Sequence, residues 1–249
     1  MESQLITCIK GRNFPETWEK SLKICWQDGK RVKTDYDKKE DPPSRDITAM
    51  MVVERPHSEP MYHRAAFPMG INDLNDYIDE VVDGTRDHLA EKLGYTYHDR
   101  MANFRDNLEE DNGINQFDYV VNELKRSGYS RRAQMVIWNP KVDTVSGGED
   151  VPCLQRLWFR IIDGKLNMNI HMRSNDLFKA TFSNMIAFYN IQQLIADKLD
   201  VPVGTYCHIA DSLHIYGSYF EEVEQTLSSF EDRSWSERTW SSKEIEVLI

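Results

Sequence analysis

Cys153, Arg173 and the run Ser174-Asn175-Asp176 are side chains whose types could do chemistry together. An ionised thiol is a nucleophile, an arginine can grip an anion with two prongs, and short polar side chains suit the open N–H groups at a helix start. The stretch that must position them is Val151 to Arg173, VPCLQRLWFRIIDGKLNMNIHMR. It predicts a strand carrying the cysteine, a tight turn at Asp163-Gly164 and a return strand ending at the arginine, because Asp-Gly tolerates the positive φ of a type I′ hairpin turn. Along the return strand Leu166, Met168, Ile170 and Met172 alternate with Asn167, Asn169, His171 and Arg173. A period of two gives one apolar face and one face that could meet a ligand. The next helix is predicted to open at Ser174-Asn175-Asp176 and to run on through Phe178, Phe182, Met185, Ile186 and Tyr189.

Size and charge bound what such a site could serve. A chain of 249 residues can bury one large core, and no composition shift marks a linker, so residues 1–249 are expected to form one domain. The formal charge of −11 argues against a nonspecific nucleic-acid binder, which needs clustered Lys and Arg, but leaves room for one phosphorylated small molecule held by a few arginines. No apolar run reaches the length of a membrane span and the N-terminus lacks a signal-peptide pattern, so a soluble, cytoplasmic protein without a membrane partner is expected. Cys8, Cys25, Cys153 and Cys207 show no CxxC spacing, which suggests neither a zinc site nor a redox pair.

The remaining elements follow in chain order. A short strand ITCIK precedes a helix from about Phe14 to Trp26 that ends at Asp28-Gly29. Thr34 to Arg45 reads as a charged loop broken by Pro42-Pro43, solvated unless Arg45, beside the strand ITAMMVVE, reaches an anion. Residues 71–92 carry Leu74, Tyr77, Ile78, Val81 and Val82 at helical spacing, with Asp79 and Glu80 on what reads as a solvated face. Tyr95 and Tyr97 stand beside His98 and Arg100, and a helix over about Asn115 to Lys125 follows. Ser130-Arg131-Arg132 precede a strand over Ala133 to Trp138; paired arginines there are either a bidentate phosphate clamp or a solvated charge pair. Val203 to His208 reads as a strand, after which His208, Asp211, His214 and Tyr216 lack the spacing of a zincin helix. The tail, with Trp235, Trp240 and EIEVLI, either packs as a lid or closes the core.

Taken in order, six segments resemble the thymidylate synthase family, which includes the pyrimidine nucleotide hydroxymethylases. They are LGYTY (93–97), SRR with a tryptophan downstream (130–138), PC (152–153), RSND (173–176), FSN (182–184) and HIY (214–216). The resemblance covers residues 120–220 best and is thin before residue 90. It implies an α+β fold, a single domain with a large bent mixed sheet flanked by helices. It also implies a homodimer in which each active site borrows arginines from its partner.

The same resemblance assigns roles. Carbon 5 of a pyrimidine is a poor nucleophile until a thiolate adds at carbon 6, and Cys153 would be that thiolate, favoured by nearby arginines. Arg173 would hold the phosphate with Ser174 and, across the dimer, Arg131 and Arg132, with Arg45 as a further candidate. Asp176 would sit near the pterin ring of methylenetetrahydrofolate, the one-carbon co-substrate, and order water near the base. Asn184 would read the pyrimidine's carbonyl oxygen and ring N–H, favouring uracil where an aspartate would favour cytosine. His214 and Tyr216 would bind the sugar hydroxyl, Tyr97 would shape the pocket, and Glu80 is the candidate for the proton-relaying glutamate.

Departures from the pattern bear on the reaction. Leu154 stands where the family has histidine, Met172 where it has glutamine, and FKATFSN where it has LGxPFN. There is no tryptophan from residue 27 to 137, where standard synthases place one against the exocyclic methylene intermediate. Unless a residue such as Tyr95 supplies the shielding, water captures that intermediate. The resemblance, with Asn184 favouring uracil, implies conversion of dUMP to dTMP as the expected reaction. The missing tryptophan makes hydroxymethylation of dUMP, dCMP or CMP its rival, and a noncatalytic nucleotide-binding protein is the third reading.

Overall fold

The computed structural model describes residues 5–67, 70–106, 113–145 and 151–248. In chain order the elements are β1 (Ile6–Gly11), α1 (Phe14–Asp28), β2 (Lys30–Val32), β3 (Ser44–Val53), β4 (Tyr62–His63), α2 (Ile71–Asp83), α3 (Ala90–Leu93), α4 (Tyr97–Ala102), α5 (Gln116–Arg126) and β5 (Gln134–Val136). They continue with α6 (Pro140–Asp143), β6 (Leu154–Ile162), β7 (Lys165–Asp176), α7 (Thr181–Leu199), β8 (Val203–Ile215), α8 (Phe220–Asp232), α9 (Trp235–Arg238), β9 (Thr239–Trp240) and α10 (Ser242–Leu248). Seven strands form one mixed sheet in the order β1-β3-β8-β7-β6-β5, with β2 on β3, while β4 and β9 pair separately. The expected α+β fold with a flanked mixed sheet is present. Register shifts at Ile47/Ala49, Leu154/Arg156 and Leu166/Met168 break the ladders, which is how long strands bend.

The hairpin forms as its sequence requires: Ile162 pairs with Lys165, and Asp163 and Gly164 take φ of 50° and 71°. Leu166, Met168, Ile170 and Met172 are buried under α7, whose Gln192 amide donates to the Leu166 carbonyl at 2.8 Å. Ile47, Met51, Tyr206 and Phe159 extend this dry face over neighbouring strands, and Trp18 of α1 seals it, its indole N–H donating to the Leu177 carbonyl at 2.9 Å. The opposite face, carrying Met50, Trp158, Asn169, His171 and Asp211, is half-buried or exposed. No helix among the described residues is long and apolar enough to cross a membrane.

Several boundaries differ from the sequence reading. Ser174-Asn175-Asp176 is not a helix start: β8 pairs with all three, opposite Ser212, Leu213 and His214, and α7 opens only at Thr181. Cys153 lies in a bend just ahead of β6. Ser44 and Arg45 belong to β3, and β5 is shorter than Ala133 to Trp138. The predicted helix over 71–92 breaks at Gly84, whose φ of 69° caps α2. The strand starting at Val203 runs past His208 to Ile215: burial alternates through Tyr206, His208 and Ala210 and resumes one residue out of phase at Leu213 and Ile215, where the ladder with β3 shifts register.

Candidate active site

The end of the sheet where β6 begins and β7 and β8 end gathers the chemistry. Arg173 donates from Nε to the Pro152 carbonyl at 3.1 Å and from Nη2 to the Val151 carbonyl at 2.8 Å, and its backbone N–H donates to the Cys153 carbonyl at 2.9 Å. The guanidinium thus pins the segment that presents Cys153, a job separate from holding an anion. Among the described residues its Nη1 makes no hydrogen bond.

Three tyrosines lie near enough to the half-buried thiol to feel its charge. Burial raises the phenol of Tyr77 and that of Tyr97, with Cys153 adding to both, and Tyr216 is pushed up to about 12 by burial, then by Asp176, Tyr36 and Cys153. The Leu154 N–H donates to the Tyr97 hydroxyl at 3.4 Å, which ties α4 to the start of β6. Tyr36, from the charged loop, meets Tyr216 edge-on at 6.3 Å. That loop can approach because residue 217 is glycine: a Cβ there would stand 1.8 Å from the Pro42 carbonyl oxygen.

Asp176 closes β7 and accepts from the backbone N–H groups of Phe178 and Lys179 at 2.9 and 3.0 Å. Burial raises its carboxyl, opposed by the Lys179 N–H and by His214, its cross-strand neighbour. His214 is buried against Tyr216, ring centroids 4.6 Å apart, and its Nε2 is a buried polar atom without a hydrogen-bond partner among the described residues. Such an atom costs stability unless a ligand completes it.

On the helix side a cavity of about 370 Å³ is lined by Phe67, Leu74, Tyr77, Glu80, Lys179 and Asn184, among others, within the range of small-ligand sites. Glu80 lies 3.4 Å from the Arg86 guanidinium on its rim. The Asn184 amide is buried, its Oδ1 accepting from the Tyr77 hydroxyl at 2.6 Å and its Nδ2 donating to Asn175 Oδ1 at 3.0 Å.

The model of the thymidylate synthase family matches residues 67–243. The chain belongs to the thymidylate synthase family. A candidate thymidylate synthase of Methanocaldococcus jannaschii is 32% identical over 213 residues, spanning 84% of this chain and 90% of its own. Another, from Methanosarcina acetivorans, is 27% identical over 219 residues, spanning 88% and 94%. The deoxyuridylate hydroxymethyltransferase of Bacillus phage SP01 is 38% identical over 107 residues, 42% of this chain and 28% of the phage protein. The solved thermostable thymidylate synthase A of Bacillus subtilis shares the fold, with a TM-score of 0.63 at 18% identity over 87% of this chain and 84% of that one. Membership makes the chain a one-carbon transferase of this family.

Against that family pattern, the structure brings Cys153, Tyr97, Arg173, Asp176, His214 and Tyr216 to one end of the sheet, and Asn184 and Glu80 to the adjoining cavity. Ser174 sits half-buried in β7 between Arg173 and Asn175. Arg45 is engaged elsewhere: its guanidinium lies 4.6 Å over the Trp26 ring and 6.0 Å over Phe220. Arg131 and Arg132 are exposed ahead of β5, their carbonyls accepting from Trp158 Nε1 at 3.0 Å and the Tyr119 hydroxyl at 3.2 Å. The alternating polar face of β7, read as a ligand face, turns Asn169 and His171 away from α7 and the cavity, and His171 pairs there with Asp211 at 3.0 Å. Tyr77 and Asn175 reach Asn184 unannounced by the sequence: Tyr77 reads as one apolar helix position among several, and Asn175 as a cap.

Proposed function

We propose that this member of the family transfers a one-carbon unit from methylenetetrahydrofolate to carbon 5 of dUMP, giving dTMP, in a cytoplasmic homodimer. The observation that carries the reading is the placement of Cys153, held by Arg173, beside three tyrosines and a cavity faced by Asn184. The Cys153 thiolate adds to ring carbon 6 and the displaced electron pair lets carbon 5 bond to the one-carbon unit. Loss of the carbon 5 proton then breaks the bond from that carbon to the folate nitrogen, leaving an exocyclic methylene. Hydride transfer from the tetrahydrofolate to the methylene expels the thiolate and restores the ring, with dihydrofolate as co-product. Asn184 meets the pyrimidine edge, with Tyr77 as its hydroxyl partner. His214, through its Nε2, and Tyr216 meet the sugar hydroxyl. Nη1 of Arg173 and Ser174 receive the phosphate, completed by Arg131 and Arg132 of the second subunit. Asp176 orders water near the base, Tyr97 walls the pocket beside the thiol, and Glu80 relays protons from the cavity rim.

Methylenetetrahydrofolate supplies the carbon and, for a methyl product, the hydride. The aromatic and apolar wall of Phe67, Leu74 and Tyr77, with polar groups at its edge, suits a flat heteroaromatic ring such as a pterin.

A second reading, hydroxymethylation of dUMP, dCMP or CMP, is favoured by the similarity to the phage hydroxymethyltransferase and by the lack of tryptophan between residues 27 and 137. Mass spectrometry of the nucleotide formed from dUMP, dCMP or CMP with methylenetetrahydrofolate separates the two. A methylated product with dihydrofolate is expected; a hydroxymethylated one with tetrahydrofolate returned would replace the first reading by the second. Cys153→Ala should abolish turnover while retaining nucleotide binding, and retained turnover would defeat both. Asn184→Asp should move preference toward cytosine, and an unchanged preference would mean that another group reads the ring.

A further inference from the structure

Behind Asn184 a line of buried polar groups runs from the cavity into the dry core. The Tyr77 hydroxyl donates to Asn184 Oδ1 at 2.6 Å, Asn184 Nδ2 to Asn175 Oδ1 at 3.0 Å, and Asn175 Nδ2 lies 2.9 Å from His208 Nε2. His208 Nδ1 lies 3.0 Å from the Tyr206 hydroxyl. Tyr206 and His208 are wholly buried, Asn175 and Asn184 nearly so.

With the Asn175 and Asn184 amides as placed, the donors in this line all point the same way. A neutral imidazole has one donor and one acceptor, and burial pushes His208 down to about 3, so it stays neutral. With Nε2 accepting from Asn175, Nδ1 must carry the proton and donate to the Tyr206 oxygen. Asn175 is thereby turned with its oxygen toward Asn184, and Asn184 with its nitrogen toward Asn175. The Met172 sulfur, 3.9 Å from the same nitrogen, is a second acceptor at that end. Reversing the Asn184 amide would face its oxygen with two acceptors, a cost that a buried site does not relieve.

We propose that Asn175 and His208 are positioning residues that hold Asn184 with its carbonyl oxygen toward the cavity, and that this orientation makes the site select uracil over cytosine. The proposal rests on the one-carbon-transfer reading and adds to it how the base is chosen. Uracil carries a hydrogen on N3 that an outward carbonyl accepts. Cytosine offers a bare lone pair at N3, which the same oxygen repels. Freed from Asn175, the amide can turn and offer its NH₂ instead.

Two measurements test this. Long-range ¹H–¹⁵N correlation on the imidazole rings of the unsubstituted protein, with His208 assigned by the signal lost in His208→Gln, should show the proton on Nδ1; a proton on Nε2 overturns the proposal. The ratio of kcat/KM for dUMP to that for dCMP should fall at least about tenfold in Asn175→Leu and in His208→Phe, which break the line. It should stay within about threefold of the unsubstituted value in His208→Gln, whose amide oxygen again accepts from Asn175. An unchanged ratio in folded Asn175→Leu overturns the proposal, and if neither line-breaking variant folds the tautomer decides. No turnover of either nucleotide by the unsubstituted protein would instead overturn the one-carbon-transfer reading, and the tautomer would still report on the line itself.

Discussion

Acid should weaken this protein in a way that His208→Gln removes. His208 is fully buried, and burial lowers it from 6.5 to about 3. Between those values the unfolded chain binds a proton at this residue and the folded chain does not, so stability rises with pH through the window and is lost as pH falls. From pH 7 to pH 5 the unfolded state gains about 1.9 kcal/mol from this one site, as follows from a pKa near 6.5 when unfolded and almost no protonation when folded. His63, also lowered by burial although Glu19 opposes it, adds loss in the same direction. It is common to both proteins and drops out of the difference. Urea unfolding at fixed protein concentration, at pH 7, 6 and 5, should show the parent losing about 2 kcal/mol more than His208→Gln over that range. Parallel losses would mean that His208 is protonated in the folded state, which would also break the polarity of the line behind Asn184.

Two other substitutions test the frame. Trp18→Ala should cost about 3–5 kcal/mol by urea unfolding, because a fully buried indole that also bonds Leu177 leaves a large cavity; a loss under about 1 kcal/mol would mean that the site collapses freely. Asp143→Ala should cost a similar ~3–5 kcal/mol, since it strands the buried Arg100 guanidinium that now pairs at 2.7 Å, whereas removing both charges as Arg100→Met with Asp143→Ala should recover much of it.

What the sequence showed plainly was local. The Asp163-Gly164 hairpin, the helix ending at Asp28 and the helix capped by Asn115 each follow from contacts among near neighbours in the chain. Ser174-Asn175-Asp176 misled because its chemistry was right and its place wrong. Asp176 does accept backbone N–H groups as a cap would, those of Phe178 and Lys179, yet pairing with β8 keeps all three residues in the strand. Arg45 ends a loop-like sequence, but strand pairing and the Trp26 ring fix it. His208 read as one member of a histidine cluster, while its partners are Tyr206, two residues away on the same face of β8, and Asn175, 33 residues back on the adjacent strand. Spacing along one chain does not report bonds across a ladder.

The line from Tyr77 to Tyr206 also links stability to the site. A buried polar group without its partner costs about 1–3 kcal/mol, so a run of amide, imidazole and phenol in a largely apolar core is costly to rearrange. Its inner end is closed among wholly buried groups, and its outer end opens on the cavity. Exchange of partners is therefore cheap at one place, where the Tyr77 hydroxyl now occupies the Asn184 oxygen. A ligand that takes that position replaces one hydrogen bond by another and leaves the rest of the line undisturbed, whereas a ligand that needs the amide reversed must disturb three further buried residues. Discrimination between two similar rings then comes from the core's resistance to rearrangement, with the contact at Asn184 reporting it.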